Sequence, residues 1–194
     1  VEQAATQGGD LLMFPELSLT GYELPLVADL ALSVDDALLH PFAAAAQDHQ
    51  MGISIGLPLK AGDNVRLSAL TFLPDGTRIA YSKRNLFGPE KEIFTPGNTV
   101  PIFGYQHHQV AMAICADISV EEFARDASVR GADLYATSVL VSEKGYDTDC
   151  GHLARWSREY KMAVLMANHA WPTGGYQCAG KSAFWYAQGL SLIQ

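Results

Sequence analysis

Three side chains capable of covalent chemistry appear immediately after short apolar runs of this sequence. Glu16 follows "DLLMF" (10–14), Lys83 closes "TRIAYSK" (77–83), and Cys115 closes "HQVAMAIC" (108–115). Reactive groups are commonly delivered where strands run out into loops. A thiol needs a base to become a nucleophile, and a carboxylate within hydrogen-bond reach can take its proton. An ammonium beside them would balance that carboxylate and stabilise an oxyanion formed by attack on a carbonyl. Glu16 also stands in "LLMFPELSLTGY" (11–22), flanked by apolar residues, where a charge is costly unless something pairs with it. A Cys, a Glu and a Lys brought together in this way would make an acyl-transfer site.

The elements that must position them can be read from periodicity and punctuation. Residues 1–7 look helical and stop at Gly8-Gly9, and 10–14 suit a strand buried on both faces. Residues 33–50 open with Ser33 as cap and an acidic first turn, with Pro41 expected to kink the helix. Strands are expected at 52–59, 65–73 and 77–83, joined by turns at "AGDN" (61–64) and "PDG" (74–76). A Pro/Gly-punctuated loop (84–101) leads to the strand 108–115. The helix 119–131 is expected to be capped by Ser119 with Glu122 at its third position, and its N-terminus could lower the Cys115 pKa. Strands at 132–138, 162–169 and 180–187 and a helix at about 148–161 complete the alternation. Such alternation predicts an α/β layered fold in one domain over 1–194, with antiparallel pairing among 52–83.

Composition excludes several function classes. The 194 residues are 48% hydrophobic and 18% charged, which suits a packed core. A net charge of -8 with no Lys/Arg cluster argues against nucleic acid as a partner. No apolar run is long enough to span a bilayer. Cys115, Cys150 and Cys178 form no CxxC, so reduced thiols in the cytoplasm are the simplest reading. The His107-His108 pair lacks a third ligand at metal spacing, which argues against a metal site. The chain begins at Val1 in what reads as a helix tail and stops in "GLSLIQ", a strand-like run, so terminal elements are expected to be missing.

"FPELSLTGY" (14–22), "YSKRNLFGPEKEIFTPG" (81–97) and "AICADISVEEFARDASVRGAD" (113–133) resemble, in order and spacing, three signatures of the nitrilase superfamily of carbon–nitrogen hydrolases. The resemblance implies a four-layer α-β-β-α sandwich, association of two or more protomers, and chemistry that requires no metal or organic cofactor. It implies Glu16 as general base, Cys115 as nucleophile and Lys83 as oxyanion-stabilising cation, with the backbone N–H of Ala116 as a second oxyanion donor. The family's second glutamate stands four residues before the aromatic Phe94, which selects Glu90 over Glu92. Tyr22 and Ser138 fall where relatives border the pocket.

The implied reaction is hydrolysis of a small amide or N-carbamoyl compound through a thioester, in the manner of an ω-amidase or N-carbamoyl-amino-acid hydrolase. Asp117, where nitrile-hydrolysing members usually show Glu, argues against a true nitrilase. "SVEEF" lacks the usual Phe-Pro, and Ala116 replaces a bulkier residue. An acyltransferase using an amine acceptor would form hydroxamate with added hydroxylamine. A non-catalytic scaffold would have had no reason to keep all three reactive positions.

Overall fold

The computed structural model describes residues 1–189, 191 and 192. Its first sheet has the order β1-β2-β3-β4, formed by Leu11–Met13, Gly52–Ala61, Asn64–Phe72 and Arg78–Ser82. β1 runs parallel to β2, and the other pairs are antiparallel hairpins. The tighter turn holds Gly62 at φ 62, a left-handed conformation that costs glycine little. In the second turn the Asp75 side chain accepts the Thr77 N–H at 2.9 Å.

The second sheet runs in space from β10 to β5. Its strands are β5 (Ile102–Tyr105), β6 (His108–Ile114), β7 (Leu134–Val139), β8 (Ala163–Asn168), β9 (Ala183–Trp185) and β10 (Ser191–Leu192). The central β6, β7 and β8 are parallel, as crossovers through helices require. Those helices are α4 (Glu121–Val129) and α5 (Tyr146–Tyr160); α1 (Glu2–Thr6), α2 (Val27–Leu30) and α3 (His40–Asp48) precede them.

Period-two alternation sorts the strand residues into layers. Ile53, Ile55, Leu57, Leu70 and Phe72 pack outward on Leu39 and on Ala46 of α3. Leu67, Ala69 and Tyr81 face inward and share one core with Val110, Met112 and Tyr135 of the second sheet. Thr71 Oγ1 crosses between the sheets to Met112 Sδ at 3.4 Å. On the far side Ala124, Ala127, Leu153 and Trp156 cover the second sheet, and Trp156 Nε1 donates to the Ile118 carbonyl at 2.7 Å. The layering is α-β-β-α, as the resemblance implied.

Several local expectations are corrected. β1 is an edge strand in which Met13 is buried while Leu11 and Leu12 stay half-exposed. Pro41 does not kink a long helix: it sits in the first turn of α3, where its missing N–H costs nothing. The preceding turn is capped by Asp36, not Ser33. β5 escaped prediction because Gly104 breaks its apolar run. Ser191 and Leu192 pair with β9 as the terminal run suggested, while Leu190, Ile193 and Gln194 lie outside the described residues.

Candidate active site

Glu16 is set by a close crossing of backbone. Beyond β1 the chain passes over β2 at Gly56, where any Cβ would collide with Leu17 N and Pro15 O. Gly56 is therefore obligatory at that point of the strand. The crossing is pinned by Gly56 N donating to Ser18 Oγ at 3.0 Å and by Leu19 N donating to Gly56 O at 2.9 Å. Leu17 takes a left-handed φ of 48 to make the turn. His169 Nε2 lies 2.6 Å from the Glu16 carbonyl oxygen, which can only accept, so that nitrogen carries the ring proton.

Lys83 follows β4 and is anchored through its own peptide: its N–H donates to Leu67 O and its carbonyl accepts from Gly97 N, each at 2.8 Å. Its buried ammonium donates to Glu16 Oε1 at 2.7 Å and to Glu90 Oε1 at 2.8 Å. Glu90 lies on the 3-10 turn Gly88–Glu92. Its Oε1 also accepts from the Tyr22 hydroxyl at 2.7 Å, and its Oε2 from Phe87 N at 2.8 Å. Glu90 is thus fully partnered, whereas Glu16 Oε2 is buried with no hydrogen-bond partner among the described residues. An ammonium has three N–H donors, and the two carboxylates occupy two of them.

Cys115 stands where β6 breaks into the 3-10 turn Cys115–Ser119, with φ at 43. A non-glycine residue held there costs about 1–3 kcal/mol, so the surroundings must enforce it. Asp117 supplies the enforcement. Its buried carboxylate accepts Ile114 N at 3.0 Å, Asn85 N at 2.8 Å and the Tyr81 hydroxyl at 2.6 Å. Asn85 Nδ2 also donates to the Ala116 carbonyl at 2.8 Å. The thiol points its proton toward Leu140 O at 3.5 Å.

Glu16, Tyr22, Glu90, Cys115 and Ala116 all line one cavity of about 290 Å³. Phe87, Ile118 and Leu140 make its apolar wall. Burial raises the Glu16 pKa, with the Glu90 charge adding and Lys83 and the Cys115 thiol opposing. Burial likewise raises the Cys115 pKa, with the Glu16 charge adding to it. Burial disfavours the Lys83 ammonium, but Glu16, Cys115 and Glu90 outweigh it and hold that pKa high. The site therefore combines a neutral thiol, a cation and a carboxyl group with one free oxygen. Such a set can pass a proton from sulfur to oxygen as sulfur attacks, and can hold an oxyanion.

A sequence profile of the carbon-nitrogen hydrolase family matches residues 1–193. The chain belongs to that family. A nitrilase of Pyrococcus abyssi is 32% identical over 141 residues, covering 70% of this chain and 54% of the relative. An (R)-stereoselective amidase of Pseudomonas sp is 25% identical over 139 residues, covering 71% and 49%. An amidase of Nesterenkonia sp. AN1 superposes with a TM-score of 0.88 at 27% identity, over 99% of this chain and 78% of that one. The chain spans about half the length of the curated relatives it matches.

In this carbon-nitrogen hydrolase chain, Glu16, Lys83, Glu90 and Cys115 converge, with Tyr22 and Ala116 beside them. Glu92, the rejected alternative to Glu90, is exposed. Ser138 is not on the wall: β7 continues to Val139, and Ser138 is buried within the strand, its Oγ without a partner. Ser119 does not cap α4 either; its hydroxyl turns back to the Ala116 carbonyl at 2.9 Å, and α4 starts at Glu121. The helix N-terminus consequently does not reach Cys115, whose pKa moves up instead of down. Sequence reasoning missed Asp117 as a support and missed Asn85, His169 and two further residues lining the cavity, Asp149 and Tyr176, entirely. Asp117, Asn85 and His169 follow strand ends, a signal that was present; Asp149 and Tyr176 are reached only through the fold. His107 and His108 are exposed, His108 pairs with Asp133 at 3.1 Å, and the described residues contain no group of three or more metal-ligating side chains.

Proposed function

We propose that this chain hydrolyses small non-peptide amides or N-carbamoyl compounds through a thioester on Cys115. The observation that carries this reading is the asymmetry of Glu16: Oε1 is tied to Lys83, while Oε2 is buried beside the cavity and free to take a proton. As Sγ attacks the amide carbon, its proton passes to Glu16 Oε2. The carbonyl oxygen becomes an oxyanion, met by the third N–H of Lys83 and the N–H of Ala116. Collapse breaks the C–N bond, and the proton on Glu16 goes to the departing nitrogen. Water then gives a proton to Glu16 and adds to the thioester; collapse releases the acid and returns the proton to sulfur. Glu90, held by Tyr22 and Phe87, keeps Lys83 in place.

Amide substrates are favoured by the amidase relatives, among them the Nesterenkonia enzyme solved with butyramide. Asp117 does not itself support that preference, because its carboxylate is occupied by three donors and does not line the cavity. The nitrilase name of the Pyrococcus relative favours nitriles as a second reading. Ammonia release across short amides, carbamoyl compounds and nitriles, with Cys115→Ala protein as control, separates the two. Ammonia formed equally by the Cys115→Ala protein would refute the nucleophile assignment. Self-association belongs to this reading and is tested by light scattering.

A further inference from the structure

The cavity carries a carboxylate that the reaction does not use. Asp149 lies in the first turn of α5 and lines the same cavity as Cys115. Acidic residues in a first helical turn often serve the helix dipole or cap it. Here no side-chain cap bond forms at that terminus, and no hydrogen bond or ion pair from the described residues reaches the Asp149 carboxylate. His152, one turn on, favours its charge, but that ring stacks on Trp156 instead of bonding to it. Burial outweighs His152 and raises the Asp149 pKa, so its charge is partly stripped of water and only partly offset.

The cavity's electrostatics point the same way. Glu16, Glu90 and Asp149 line it, no Lys, Arg or His among the described residues does, and the Lys83 ammonium is already shared between the first two. The lining therefore offers carboxyl groups, while the one ammonium beside them is already shared. A substrate carboxylate entering it would be desolvated against like charge, which is unfavourable. Ile118, Leu140 and Val141 line the same cavity and suit methylene groups.

We infer that Asp149 is a specificity residue that binds the ammonium end of an aliphatic amide or carbamoyl compound. The inference rests on the amidase reading above and narrows it: N-carbamoyl amino acids, which carry a carboxylate, are excluded as preferred substrates. The substrate is a short alkyl chain with the scissile C–N bond at one end and a primary ammonium at the other.

Two measurements test this. The first is ammonia release from amides of matched length ending in methyl, ammonium or carboxylate. The ammonium-ended amide should exceed both others in kcat/KM by about 10-fold or more, the scale of one hydrogen-bonded charge pair. Asp149→Asn should collapse the ammonium-to-methyl ratio toward one, and Asp149→Lys should move preference to the carboxylate-ended amide. Turnover of the methyl-ended amide with no advantage for the ammonium would overturn the assignment of Asp149 while leaving the amidase reading intact. The second measurement needs no turnover. Calorimetric titration of the Cys115→Ala protein should show n-butylamine binding more tightly than butyrate, and Asp149→Asn in that background should abolish the difference. Equal or reversed affinities refute the inference even if no amide is hydrolysed.

Discussion

Replacing Lys83 by Met removes the charge while keeping an unbranched apolar stem, and the structure says where the cost falls. One ammonium serves two buried carboxylates, at 2.7 and 2.8 Å. Removing one partner of a buried pair costs about 3–5 kcal/mol, and a shared cation places this case at the upper end. Glu90 retains the Tyr22 hydroxyl and the Phe87 N–H, but Glu16 loses the bond on Oε1 and has none on Oε2. Glu16 should therefore relieve itself by taking a proton. Its folded pKa already lies above 4.5, and losing Lys83 raises it further. A carboxyl with a raised folded pKa contributes stability that is present below its unfolded pKa and lost as pH rises through its folded pKa. The deficit of Lys83→Met should thus be small near the unfolded value and reach its full size above neutrality. Urea unfolding at about pH 5 and about pH 8 measures this directly. The double variant Glu16→Gln/Lys83→Met removes the stranded charge and should be more stable than Lys83→Met alone at the higher pH, by about 1–3 kcal/mol. A deficit of equal size at both pH values, or a double variant weaker than the single one, would show that the desolvated charge of Glu16 does not carry the cost.

If Glu16 is the base, the acid limb of kcat/KM should lie above its ordinary value of 4.5, because burial raises it; a pH profile with a limb at or below that value contradicts the assignment. Asp117→Ala should cost about 3 kcal/mol or more in denaturant unfolding, since it strands the Ile114 and Asn85 N–H groups and the Tyr81 hydroxyl, and turnover should fall as Cys115 loses its support. Asp117→Asn, which keeps an acceptor, should lose less; equal losses would refute the hydrogen-bond account. Gly56→Ala should destabilise by about 2 kcal/mol or more and lower kcat, because the new methyl displaces the segment carrying Glu16; unchanged unfolding would show that this crossing tolerates movement.

The convergence of the candidate residues was legible because each follows the end of its own strand, a local event written in the runs before Glu16, Lys83 and Cys115. Ser138 was misplaced for the same reason in reverse: β7 runs one residue beyond the expected end, and the chain reaches the cavity only at Leu140. The helix-dipole expectation failed because a 3-10 turn separates Cys115 from α4, and Asp117, which makes that turn possible, draws on Tyr81 and Asn85 from a distant part of the chain. Such support cannot be read from spacing. It exists once the sheets have met. Glu16 and Lys83 leave the first sheet and Cys115 leaves the second, so the cavity forms only when the inner faces dock. The same docking buries Lys83 between Glu16 and Glu90 and aligns Tyr81 with Asp117. Assembly of the reactive set and closure of the core are one physical event, and a loosened interface should silence the thiol before the sheets themselves unravel.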